Sequence, residues 1–155
     1  RNYLSKFFDD RWLVDNNLSS TDVPIQTVGD LLVKRGPREM VTVSLDATAN
    51  DAIQLMERKG ISQLPVVVDG KSVGSVQEVT LARVLHDNRD PRTMKVSDIM
   101  ARPLPTLDIA VHLDEAYRLL LAGNTGVLVT QENKVIDIVT RIDLVHYWDS
   151  MRKVD

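Results

Sequence analysis

The sequence predicts an α+β (mixed α/β) fold made of two pseudo-symmetric β-α-β-β-α units, with a further helix ahead of them. Three observations predict it. Val28-Gly29-Asp30-Leu31-Leu32 returns as Val96-Ser97-Asp98-Ile99-Met100. The residues downstream of each copy correspond as well: Gly60 matches Gly123, the turn Asp69-Gly70-Lys71 matches Glu132-Asn133-Lys134, and Val73 to Val76 matches Ile136 to Val139. Within each copy, helical hydrophobic spacing gives way to two apolar runs split by a polar turn. A period of about 60 residues, present twice, points to two half-domains burying apolar faces against each other rather than to an open solenoid. A cleft forms where such halves meet, and clefts of that kind hold ligands.

The elements are taken in chain order. Tyr3/Phe7, Leu4/Phe8 and Phe8/Trp12 are i,i+4 pairs, so the start reads as an amphipathic helix with an aromatic stripe. That stripe packs either on its own domain or on a surface outside this chain. Asp15 to Pro24 is a polar linker, so residues 1–24 form a helix and its tether. The first unit spans 25–88. Thr27 to Leu32 starts a short helix, Thr42 to Leu45 is extended, and Thr48 to Lys59 is a helix with Ala52, Leu55 and Met56 on one face. Thr48-x-x-Asp51 fits an acidic capping box, and Gly60 is placed to end that helix. Leu64 to Val68 and Ser72 to Val76 read as strands of a hairpin closed by Asp-Gly, and Glu78 to Asp87 as a closing helix. The second unit, 89–155, opens with the linker Asn88 to Thr93 and mirrors the first. Val96 to Met100 starts it, Thr106 to Ile109 is extended and His112 to Ala122 is helical. Gly126 to Thr130 and Val135 to Thr140 are strands, and Arg141 to Ser150 is the last helix.

Composition narrows the function classes. A chain of 155 residues buries roughly two-thirds of its unfolded surface, enough for one compact unit without staples. The net charge of −3 is interspersed, so no basic stripe invites nucleic acid or an anionic membrane. The absence of cysteine excludes disulfides and thiolate chemistry within this piece and fits a cytoplasmic protein. No apolar run approaches the roughly 20 residues of a membrane span. His86, His112 and His146 fall in separate elements without a nucleophile or metal-ligand spacing, so neither catalysis nor metal binding is expected of this chain.

One segment carries candidate chemistry. Ile138-Val139-Thr140-Arg141-Ile142-Asp143 places a hydroxyl at a strand end and a carboxylate in the first turn of the next helix. Asp143 can accept from both hydroxyls of a ribose, and Thr140 with the helix N–H groups can receive an anion. Period-two alternation puts Ile138 on the side of Thr140 and turns Asp137 away. Thr-x-x-Asp at a helix start equally fits a capping role without any ligand, and the two roles are compatible. In the first unit Gln77 and Thr80 stand at the matching positions, so the carboxylate is missing and one working cleft is expected.

On these repeats the chain, over about residues 25–150, resembles a tandem pair of CBS domains, the Bateman module. Its start, Arg1-Asn2-Tyr3-Leu4-Ser5-Lys6-Phe7-Phe8-Asp9-Asp10-Arg11-Trp12-Leu13, resembles the end of the catalytic region in the cystathionine β-synthase family. The resemblance implies motifs packed sheet to sheet, dimerisation, and a regulatory rather than catalytic role. It also implies a catalytic domain with its pyridoxal phosphate ahead of Arg1, as a partner within the same protein. The implied effector is an adenosyl compound, S-adenosylmethionine or AMP/ATP. Position by position, the resemblance assigns ribose binding to Thr140 and Asp143, flanked by Ile138 and Ile142. Ile61, Gln63, Met40 and Val41 match residues lining the same cleft. A dimerisation module that needs no ligand is the alternative.

Overall fold

A computed structural model describes residues 25–153, and the aromatic N-terminal helix expected over 1–24 lies outside the described residues. Helix α1 (Val28–Arg35) is followed by the extended residue Val43 and then by α2 (Ala49–Lys59), β1 (Gln63–Val68), β2 (Lys71–Gln77) and α3 (Glu78–His86). A 3-10 turn at Pro91–Thr93 leads into α4 (Val96–Ile99), β3 (Thr106–Asp108), α5 (Leu113–Leu121), β4 (Val127–Gln131), β5 (Lys134–Val139) and α6 (Arg141–Arg152). The architecture is the mixed α/β pair of units that the sequence predicts.

Local chemistry explains most boundaries. Thr27 and Thr48 cap α1 and α2, their hydroxyls accepting from the N–H groups of Asp30 and Asp51 while those carboxylates accept from the capping residues' own N–H. Gly60 ends α2 in the left-handed conformation, φ 66°. Both hairpins turn through two residues of positive φ, Asp69-Gly70 in one and Glu132-Asn133 in the other, whose twist suits a two-residue hairpin. In each hairpin the register slips at the same place, between Val66 and Val67 and between Val129 and Thr130. This bulge leaves Val73 and Ile136 unpaired and resets which face the end of β2 and of β5 presents.

The sheets are alike but unequal. In the second unit β3 pairs parallel to β4, and β4 antiparallel to β5. The first unit reduces the equivalent of β3 to a single parallel bridge, Val43 to Val66, beside the β1–β2 hairpin.

Each opening helix lies on the core of the other unit. Val28 and Leu31 of α1 are fully buried among Ile109, Leu113, Leu120, Val127 and Tyr147. Met94 and Val96 are buried with Val43, Ala52, Leu64, Val66 and Val84. Backbone bonds obey the same pseudo-two-fold exchange. Val28 and Gly29 donate to Val111 and Ile109 at 2.9 Å, while Val96 and Ser97 donate to Ala47 and Leu45 at 2.7 and 3.1 Å.

The symmetry breaks just after the opening helices. After α4 the chain extends, and Ala101 pairs with Ser75 of β2 by two backbone bonds of 2.7 and 3.1 Å. Ser75 Oγ donates to the Arg102 carbonyl at 2.7 Å. Gly74 permits this approach, since a Cβ there would lie 2.4 Å from Met100 Sδ and 3.1 Å from the Ala101 carbonyl oxygen. Gly74→Val is therefore expected to lever the Met100–Arg102 segment off β2 and cost roughly 1–3 kcal/mol in urea unfolding. Unchanged stability would mean that the segment is not held there. Helix α1 is by contrast a turn longer than α4, ends at Arg35 and is followed, past Gly36 and Pro37, by Arg38.

Candidate functional site

The two hairpins meet at their turns, where the Val135 N–H donates to the Gly70 carbonyl at 2.9 Å. A cleft of about 960 Å³ opens between the units, beside the C-terminal end of α2, the start of β1 and the start of α6. Met40 and Val41 form one wall, Ile61 and Gln63 a second, and Ile138, Thr140 and Ile142 a third. These seven residues, drawn from both units, line one cleft. Pro65 contributes to the floor, and Gln63 is buried while Ile142 at the rim is 54% exposed. Thr125 adds a buried hydroxyl that has no hydrogen-bond partner among the described residues.

Asp143 behaves differently. It does not line the cleft but sits behind it, 5% exposed, and offers no free carboxylate for a ribose in this conformation. Its Oδ2 accepts from the Thr140 N–H at 2.9 Å and from the Thr140 hydroxyl at 3.3 Å, so the capping geometry is realised. Two guanidinium groups cover the rest. Arg38 donates to both carboxylate oxygens at 3.1 Å, and Arg35 donates to Oδ2 at 3.3 Å. Both arginines also donate to the Ile138 carbonyl, at 3.0 and 3.1 Å. Arg35 reaches Asp137 at 2.5 Å, which is why Asp137 is buried on the far side of β5 from the cleft. Burial pushes the Asp143 carboxyl up, but the hydrogen bonds from Arg38 and the Thr140 N–H, with the charges of Arg38 and Arg35, prevail and hold it below the usual carboxylate range.

Sequence reasoning missed Arg35 and Arg38. The signal lay in Lys34-Arg35-Gly36-Pro37-Arg38, a basic run where the second unit has Arg102-Pro103-Leu104. Of the three charges clustered between an opening helix and an extended segment, Arg35 and Arg38 meet acids about a hundred residues further along the chain.

At the matching place in the first unit, Gln77 donates to Ser75 Oγ at 3.3 Å, and the Met100–Arg102 segment lies across β2. A second cavity, about 420 Å³ between Arg89, Asp90, Thr93, Met94, Asp98 and Ile99, lies away from Thr140. Among the described residues no group of three His, Asp or Glu is placed to hold a metal ion, and no helix is long and apolar enough to cross a membrane.

Two pseudo-symmetric α/β units with a cleft at their seam define the class of paired-repeat modules. The chain belongs to the CBS-domain family: the model of that domain matches residues 28–87 and again 96–150. The structure superimposes on that of CBSX2 in complex with AMP with a TM-score of 0.70 and 26% identity, over 83% of this chain and 99% of that one. It superimposes on the CBS-domain structure of NE2398 with a TM-score of 0.71 and 26% identity, over 82% and 98%. Cystathionine beta-synthase from Dictyostelium discoideum is 28% identical over 169 residues, 95% of this chain and 32% of that protein. The chain spans less than half the length of the curated relatives it matches.

Proposed function

We propose that this module senses an adenosyl compound, an adenine nucleotide or S-adenosylmethionine, and regulates a larger protein resembling the pyridoxal-phosphate enzyme cystathionine β-synthase. One observation carries the reading: a single seam cleft collects apolar walls from both units beside a hydroxyl at a helix start, with a carboxylate immediately behind it. Met40, Val41, Ile61 and Ile138 supply flat apolar contact for a purine. Thr140 and the start of α6 supply donors for an anion. Asp143 is the acceptor for ribose hydroxyls once its partners yield. Similarity to a CBS-domain structure holding AMP supports the choice of an adenylate. The similarity to cystathionine beta-synthase supports the proposed context.

A ligand that closes on walls from both units changes how those units sit, and regulation follows only if it binds one arrangement better than another. Isothermal calorimetry with AMP, ATP and S-adenosylmethionine tests the reading. Saturable heat with at least one of them below about 1 mM is expected, with a rise in melting temperature that grows with ligand concentration. Absence of heat with all three overturns it.

A second reading, ligand-independent assembly, draws on one specific feature. The pseudo-equivalent helices α3 and α6 leave Val79, Leu85, Ile142, Val145 and Trp148 exposed. Such a surface suits a second copy of the chain. Sedimentation equilibrium separates the readings: a dimer whose mass and stability ignore every adenosyl compound favours assembly.

A further inference from the structure

The carboxylate that the adenosyl reading assigns to a ribose is held by two guanidinium groups, one of them replaceable. Arg35 is anchored, its side chain 16% exposed and bonded to Asp137, to Asp143 and to the Ile138 carbonyl. Among the described residues Arg38 reaches Asp143 and that same carbonyl, and its side chain is 43% exposed at the cleft wall. It lies two residues beyond Gly36, which turns the chain with φ 89° and has open space where a Cβ would stand.

Resting on the adenosyl reading, we propose that Arg38 is an internal latch on Asp143 that a nucleotide opens by exchange: the ribose hydroxyls take over Asp143, and the freed guanidinium takes the phosphate. The exchange conserves charge pairing. Before binding, the Arg38 cation faces the Asp143 anion. Afterwards the carboxylate accepts from two neutral hydroxyls with Arg35 still beside it, and Arg38 faces the ligand's anion. A nucleoside without phosphate breaks the Arg38–Asp143 pair and leaves the guanidinium uncompensated. The site is therefore selective for an adenine nucleotide over adenosine, and Arg38 sets that selectivity.

Calorimetry with AMP and adenosine on wild type, Arg38→Ala and Arg38→Gln tests this, with circular dichroism verifying that each variant is folded. Wild type is expected to bind AMP at least roughly tenfold more tightly than adenosine. Either Arg38 variant is expected to gain roughly tenfold in adenosine affinity, because nothing has to be displaced, while its preference for AMP falls toward unity. Adenosine affinity unchanged in both variants overturns the latch, and so does a preference for AMP that survives them. If neither ligand binds any of the three proteins, the latch falls, and the adenosyl reading falls with it when ATP and S-adenosylmethionine also give no heat. Equal binding by wild type and variants removes the latch alone.

Discussion

Asp143→Ala is expected to abolish saturable binding of AMP and to lower the unfolding free energy by an amount near the lower end of roughly 3–5 kcal/mol, the range for breaking a buried ion pair by removing one partner. The loss is large because this carboxylate accepts five hydrogen bonds at 2.9 to 3.3 Å, from Thr140, Arg35 and Arg38. It falls at the lower end because Arg38 returns to water and Arg35 keeps Asp137. Asp143→Asn separates the two effects. An amide oxygen still accepts from the Thr140 N–H, so part of the stability returns, but one face now donates and the arginines lose their anion. Acid unfolding supplies the independent check. Since the folded carboxyl lies below its unfolded value, its contribution is complete above about pH 4 and is lost as the pH falls through the folded value. Asp143→Asn removes that contribution, so stability should depend less on pH across that acidic window. An Asn variant with the wild-type acid profile and intact AMP binding would dissolve both the ion-pair and the ribose assignments.

How much of this was legible in the sequence divides along the range of the interactions. Thr48-x-x-Asp51, Gly60 and Asp69-Gly70 act within a few residues, and the structure forms the cap, the helix end and the hairpin turn they encode. The repeat made the second unit legible from the first, down to Glu132-Asn133 turning where Asp69-Gly70 does. The cleft walls were legible for a related reason: Ile61, Gln63, Ile138 and Thr140 sit at strand and helix ends, which a seam between repeats brings together. Two features were not. The slips at Val66/Val67 and Val129/Thr130 leave no local signature, because a bulge is a property of two strands in register rather than of either one. The Arg35 and Arg38 contacts cross more than a hundred residues of sequence, and nothing in Lys34 to Arg38 says which acids they meet. For Asp143 the sequence offered a cap and a ribose acceptor side by side; the structure forms the cap, and its salt bridges stayed out of reach.

Leu31→Ala carries the second large effect, and its location matters more than its size. Leu31 is fully buried, so truncation should cost roughly 2–5 kcal/mol through lost transfer energy and a residual cavity. Sequence order alone would put that damage in the first unit, since Leu31 opens the first repeat. The packing puts it in the second, where Leu31 meets the core of Leu113, Leu120, Val127 and Tyr147. Hydrogen exchange of the variant should accordingly lose protection first in α5, β4 and β5, with α2, β1 and β2 retaining more. Val96→Ala, a smaller truncation in the other exchanged helix, should reverse the pattern. Equal loss everywhere would mean that the two cores open as one unit, and loss confined to β1 and β2 would contradict the exchange. The binding consequence comes from chain continuity. Helix α1 docks on the second core and then runs through Arg35 to Arg38, so the depth at which Leu31 seats fixes where both guanidinium groups meet Asp143. A loosened α1 should therefore weaken the hold on Asp143. Leu31→Ala is then expected to raise adenosine affinity in the same direction as Arg38→Ala, by a smaller factor, even as it destabilises the fold.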